Sequence, residues 1–137
     1  MVDRDLVLRK LADLDAYVEE LREYQGLTVA AYLADWKTQR VVERTLQIAI
    51  ECCLDIASHA ISDRKLRVPT TYAEMYEILG EARLLDVSLC EAMIRIVGFR
   101  NLLVHDYAKL DATRVVRILN EHLEDFMRFR AAVLSWA

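Results

Sequence analysis

Glycine occurs three times in 137 residues and proline once. Two-residue hairpin turns draw on Gly or Asn, so a chain this poor in glycine is not expected to be β-rich. Long hydrophobic runs are missing too. None approaches the ~18 residues of a membrane-spanning helix, and no membrane segment is expected. The opening Met1-Val2-Asp3-Arg4-Asp5 is charged and lacks the apolar core of a signal peptide. There is no excess of basic charge, the net charge being −4. Nucleic-acid binders of broad specificity neutralise many phosphates, so this balance argues against general DNA binding but leaves room for a locally basic cleft. Cys52, Cys53 and Cys90 form no C-x-x-C, zinc or framework spacing, and read as small core residues of a protein in the reducing cytoplasm. A Gly-rich phosphate loop, a His/Asp/Glu set at metal-ligand spacing and a defensible Ser-His-Asp order are all absent, so neither a metal nor another cofactor is expected.

What is present is apolar and helical. Hydrophobic residues make up 55% of the chain, more than a monomer of one domain (residues 1–137) readily covers, which points to an oligomer or partner face. Fourteen of the 18 basic residues are Arg, suited to bidentate phosphate contacts, although a biased genome composition explains that equally well. Val7, Leu11, Leu14, Val18 and Leu21 step by three and four and predict a first helix over residues 2–24, ended near Gly26. A short helical piece, Thr28 to Ala34, follows. Asp35 can cap a long, heavily buried helix from Trp36 to about Ser62. Its narrow polar stripe is Arg40, Arg44, Gln47, Glu51 and Asp55.

Residues 63–69 read as a linker. Thr71 and Glu74 have capping-box spacing for a short helix through Leu79, closed by Gly80; Ser88 and Glu91 repeat the box for a helix from Leu89 to about His105. Asp111 can cap a last helix running to about Trp136, with the seam Val116, Leu119, Leu123, Phe126 and Val133. The expectation is an all-α antiparallel bundle of four main helices plus one or two short ones.

The chemistry concentrates in Arg100-Asn101-Leu102-Leu103-Val104-His105-Asp106-Tyr107. A neutral His can take the proton of a ribose 2′-OH, and an Arg can stabilise charge growing on phosphoryl oxygens. Asn101 shares a helix face with His105 and can orient either partner. No metal is required for internal transesterification of RNA. Arg100 stands about 140° from His105 on an ideal helix. Either the helix loosens near His105 or a second subunit supplies part of the site.

This segment resembles the HEPN superfamily, marked by Arg, four to six residues, then His, often with a polar residue after the Arg. It is more similar still to the HepT toxin family, whose Arg-x4-His-x-Tyr pattern Arg100, His105 and Tyr107 fill. Glu43-Arg44-Thr45-Leu46-Gln47-Ile48-Ala49-Ile50-Glu51, continuing to Leu54-Asp55-Ile56-Ala57, also looks like that family. The resemblance implies a HEPN-type bundle and a metal-independent endoribonuclease acting as the toxin of a toxin–antitoxin pair. It implies a homodimer whose two Arg/His motifs share a cleft, with RNA as substrate. It further implies a minimal nucleotidyltransferase antitoxin that attaches AMP to the motif tyrosine, by position Tyr107. On that basis Arg44 would add positive charge to the cleft, and Glu51 or Asp55 would position basic groups; alternatively the stripe faces solvent or forms local ion pairs. Two competing readings are a non-catalytic module that binds a nucleotide or docks the partner, and a purely structural helical subunit.

Overall fold

The computed structural model describes residues 4–137, and the described residues form helices and no strand. They are α1 (Arg4–Arg22), α2 (Val29–Ala34), α3 (Trp36–Asp63), α4 (Tyr72–Glu81), α5 (Val87–His105), α6 (Ala112–Glu121) and α7 (Leu123–Trp136), with a 3-10 turn at Tyr107–Lys109 between α5 and α6. The all-α bundle expected from the sequence is what forms; residues 2 and 3 of the expected first helix lie outside the described residues. No helix among the described residues is long and apolar enough to cross a membrane.

Side-chain caps set most of the helix starts among the described residues. Asp35 accepts from the Lys37 amide, Thr71 from Glu74 and Asp111 from Thr113, each satisfying one amide that a helix start leaves without a partner. Three boundaries differ from expectation. Asp86 caps α5 instead of Ser88, because its carboxylate reaches the Leu89 amide at 2.7 Å. Gly80 lies inside α4 instead of closing it. The last helix is broken at His122, whose ring Nδ1 pairs with Asp125 Oδ2 at 3.2 Å and whose carbonyl accepts from the Asp125 amide. That local bonding competes with the helical ladder. The described residues therefore hold three short helices and a 3-10 turn beside the four main helices. Gly26, at φ +89°, lies in a turn four residues beyond α1; its amide donates to Asn120 Oδ1 at 2.8 Å, tying that turn to α6.

The core follows the apolar seams. Val7, Leu11, Leu14, Val18 and Leu21 of α1 are buried against α3, and Leu119, Leu123, Phe126 and Val133 are buried on α6 and α7. α3 is the central rod, touching α1, α2, α4 and α5, which is why it is apolar nearly all round. α5 packs between α4 and α7 and against α3, leaving its C-terminal end beside the N-terminal half of α3.

α4 and α5 approach unusually closely at one point. A methyl group at Gly80 would stand 2.7 Å from Cys90 Sγ, which is itself held by the Tyr76 carbonyl at 3.3 Å. Gly80→Ala should therefore destabilise the protein by about 1–3 kcal/mol through overpacking, although alanine intrinsically favours a helix by about 1 kcal/mol. Adding Cys90→Ala removes the obstructing sulfur and should recover most of that loss. Urea melts of the two single variants and the double variant test this; additive losses would show that the contact is not the cause.

Candidate functional site

The functional segment ends α5 and turns toward α6. α5 keeps α-helical form through His105, and the Asp106 amide closes it on the Leu102 carbonyl at 3.1 Å. Regular geometry is thus retained between Arg100 and His105, and the two side chains leave the helix in different directions. Of the two ways to unite them, loosening of the helix is not what occurs.

Arg100 points into the bundle. Its side chain is only 12% exposed, its Nη2 lies 3.8 Å from Glu51 Oε1, and its guanidinium rests 5.0 Å from the centre of the Tyr72 ring. Nη1 donates to Asn101 Oδ1 at a long 3.4 Å. Nε is buried and has no hydrogen-bond partner among the described residues. A buried donor left without a partner is costly. Arg100 borders a cavity of about 500 Å³ that also takes in Lys10, Glu51, Asp55, Ser58 and Tyr72. Glu51 is steadied there by Gln47 Nε2 at 2.8 Å, and Asp55 by Lys10 Nζ at 3.0 Å.

His105 and Asn101 are exposed on the outer side of α5. Arg44 is exposed on α3 and lies outside the Arg100 cavity. The single chain therefore brings Arg100, Glu51 and Asp55 together, sets Asn101 beside Arg100, and leaves His105 and Arg44 apart from them.

Tyr107 sits just past the helix end, in the 3-10 turn, with 45% of its surface exposed. Its ring leans on Arg40 and its hydroxyl points inward. The hydroxyl donates to Glu43 Oε1 at 2.6 Å and accepts from Arg40 Nη1 at 2.8 Å. Glu43 is a nearly buried carboxylate, 7% exposed, and its second oxygen accepts from the Tyr32 hydroxyl. Arg40 Nη1 also stands 3.5 Å from Glu43 Oε1. Burial, followed by the hydrogen bond to Glu43 and its negative charge, raises the Tyr107 phenol above its ordinary pKa, with Arg40 partly opposing. The same causes raise Tyr32 further.

This cradle of Tyr32, Arg40 and Glu43 was missed as a site in the sequence. Arg40 was visible only as one member of a polar stripe. The available signal was Glu43 itself, an acidic residue set between Val42 and Thr45 on the buried side of α3, because a buried charge demands partners.

A family model described as "Ribonuclease HepT-like" matches residues 14–133. The mRNA nuclease HepT of Shewanella oneidensis is 30% identical over 125 residues, which cover 91% of this chain and 93% of that protein. The tRNA nuclease HepT of Aphanizomenon flos-aquae is 26% identical over 131 residues, covering 96% and 89%. Among solved structures, the tri-AMPylated Shewanella oneidensis HEPN toxin in complex with an MNT antitoxin superposes with a TM-score of 0.88 at 28% identity, over 96% of this chain and 98% of that one. The cytosolic protein YutE of Bacillus subtilis shares the fold, with a TM-score of 0.83 at 18% identity over 98% and 90%. A helical bundle carrying Arg100, His105 and Tyr107 at the end of α5, matched over nearly its whole length, belongs to the ribonuclease HepT-like family.

Proposed function

We propose that this chain is the toxin of a HEPN/nucleotidyltransferase toxin–antitoxin pair and acts as a metal-independent endoribonuclease. The observation that carries the reading is the complete Arg-x4-His-x-Tyr set at the end of α5, with a buried guanidinium on one side and an exposed imidazole on the other. His105 accepts the proton of a ribose 2′-OH as that oxygen attacks the adjacent phosphorus. Arg100 stabilises the charge gathering on the phosphoryl oxygens, and Asn101 orients it. The P–O5′ bond breaks with its electron pair going to the 5′-oxygen, which takes up the proton His105 has accepted, leaving a 2′,3′-cyclic phosphate. Glu51 and Asp55 hold the basic groups of the Arg100 cavity, and Arg44 contributes positive charge near α3.

Because Arg100 and His105 diverge on a straight helix, two copies of the chain complete the cleft. Trp36, Val41 and Val104 support this assembly, since all three are exposed on the turns nearest Arg40 and Tyr107. Residues 1–137 act as one domain; the buried cluster that runs from Val7 to Val133 supports this. The free thiols of Cys52, Cys53 and Cys90 fit a cytoplasmic protein. The partner is a minimal nucleotidyltransferase that silences the toxin by attaching AMP to Tyr107, a residue with 45% of its surface exposed. The Shewanella oneidensis toxin is tri-AMPylated and in complex with an MNT antitoxin, which supports the kind of partner and the attachment of AMP.

Incubating the purified protein with bulk RNA in the presence of a chelator should give cleavage with 2′,3′-cyclic phosphate ends. Cleavage that depends on added divalent metal, or that leaves 3′-hydroxyl ends, would overturn the mechanism. A second reading, a nucleotide-binding module without catalysis, draws on the cavity that Arg100 borders. It predicts ATP binding that is lost in Arg100→Ala and no RNA cleavage.

A further inference from the structure

We propose that Glu43 is the base that removes the Tyr107 proton during AMP transfer, and that Tyr32 positions it, so that the toxin supplies part of the machinery of its own silencing. This rests on Tyr107 being the AMP acceptor and adds to that reading the residues that activate it.

A protonated phenol is a weak nucleophile, and activation needs a base within hydrogen-bond reach that is oriented by a third group. All three parts are present. Glu43 Oε1 stands 2.6 Å from the Tyr107 hydroxyl. The buried Tyr32 hydroxyl occupies Glu43 Oε2, which leaves Oε1 directed at the half-exposed tyrosine. Arg40 Nη1, 2.8 Å from the same phenolic oxygen, can stabilise the negative charge that develops there. Arg40 is itself exposed, so it also offsets repulsion between Glu43 and an incoming polyphosphate.

A carboxylate this deeply placed is an expensive way to hold a turn in place. Hydrogen bonding between neutral groups, or apolar packing of Tyr107, would tie the segment to α3 without a buried charge. A phenol is protonated at neutral pH in any case, and burial and the Glu43 contact push its pKa further up, so its proton has to leave during the reaction. In the step itself, Tyr107 Oη bonds to the α-phosphorus of the nucleoside triphosphate presented by the nucleotidyltransferase. The bond from that phosphorus to the bridging oxygen breaks, pyrophosphate leaves with the electron pair, and the phenolic proton passes to Glu43 Oε1 and then to water. The product oxygen has no proton to return, so the Glu43 contact is lost once AMP is in place.

The test is single-turnover AMP incorporation with the partner nucleotidyltransferase and saturating Mg-ATP, followed by intact mass and peptide mapping across pH 6 to 9. Wild type should be modified on Tyr107 at a rate nearly independent of pH. Glu43→Gln should slow transfer by about 10²–10⁴-fold, the usual worth of a general base. Its rate should rise about tenfold per pH unit, because the phenol must then ionise unaided. Glu43→Asp, which keeps a carboxylate, should retain the flat profile, and Tyr32→Phe should lose about tenfold. Thermal melts confirm that each variant is folded. Glu43→Gln reacting within about twofold of wild type, or more slowly with an unchanged pH profile, would overturn the role of Glu43 as base while leaving Tyr107 the acceptor. Absence of AMP on wild-type Tyr107 would instead overturn the acceptor assignment, and this proposal with it.

Discussion

His105→Ala is expected to lower RNA cleavage by about 10²–10⁴-fold, the contribution typical of a general acid or base. The same change should move stability by no more than about 0.5 kcal/mol, because His105 is exposed at a helix end and its removal leaves no cavity. The separation of the two effects makes the result informative. A catalytic residue loses rate without losing fold, whereas a residue that merely finishes a helix does neither. Arg100 should behave differently. Arg100→Ala removes a guanidinium that is 12% exposed, faces Glu51 and lies on the Tyr72 ring, so activity and stability should fall together. Arg100→Lys should not rescue activity, because an ammonium on a flexible stem does not present a planar fork to the phosphate. Undiminished cleavage and toxicity in His105→Ala would remove the nuclease mechanism altogether.

The largest effect on stability is expected at Phe129. Its side chain is fully buried on α7 and meets Tyr76 of α4 edge to face, with ring centres 5.9 Å apart and an interplanar angle of 89°. Phe129→Ala should cost about 3–5 kcal/mol through lost burial and the cavity left behind. Against a total stability of about 5–15 kcal/mol for a typical domain, that loss should lower the melting temperature by roughly 10 °C or more. The partner ring supplies an internal control. The Tyr76 hydroxyl is buried without a hydrogen-bond partner among the described residues, so Tyr76→Phe should be neutral or stabilising. Thermal melts of the two variants should therefore shift in opposite directions or by very unequal amounts. A mild loss in Phe129→Ala would mean that α4 and α7 are free to close over the gap.

Much of the bundle was legible because its determinants are local. Asp35, Thr71 and Asp111 cap the helices they were expected to cap, and the three-and-four stepping of α1 identified its buried face. The break at His122 was not legible. Leu119, Leu123 and Phe126 keep helical spacing straight across it, so the periodicity carries no trace of one interrupted turn. Asp86 and Ser88 are both good N-caps, and only the realised reach of Asp86 to Leu89 decides between them. The Arg100–His105–Tyr107 set could be read because it occupies eight consecutive residues. The cradle of Tyr107 could not, since Glu43 and Tyr107 are 64 positions apart and only the packing of α5 against α3 brings them together.

The divergence of Arg100 and His105 on one straight helix bears on dosage. If a working cleft takes one of these groups from each of two chains, then below the dissociation constant of the pair activity grows with the square of the chain concentration. A cell carrying a few unmodified copies would meet almost no nuclease. A modest rise in copy number, or a lapse in the partner's supply, would then release activity far out of proportion to the change. The helix that separates the two side chains would in that way set a threshold.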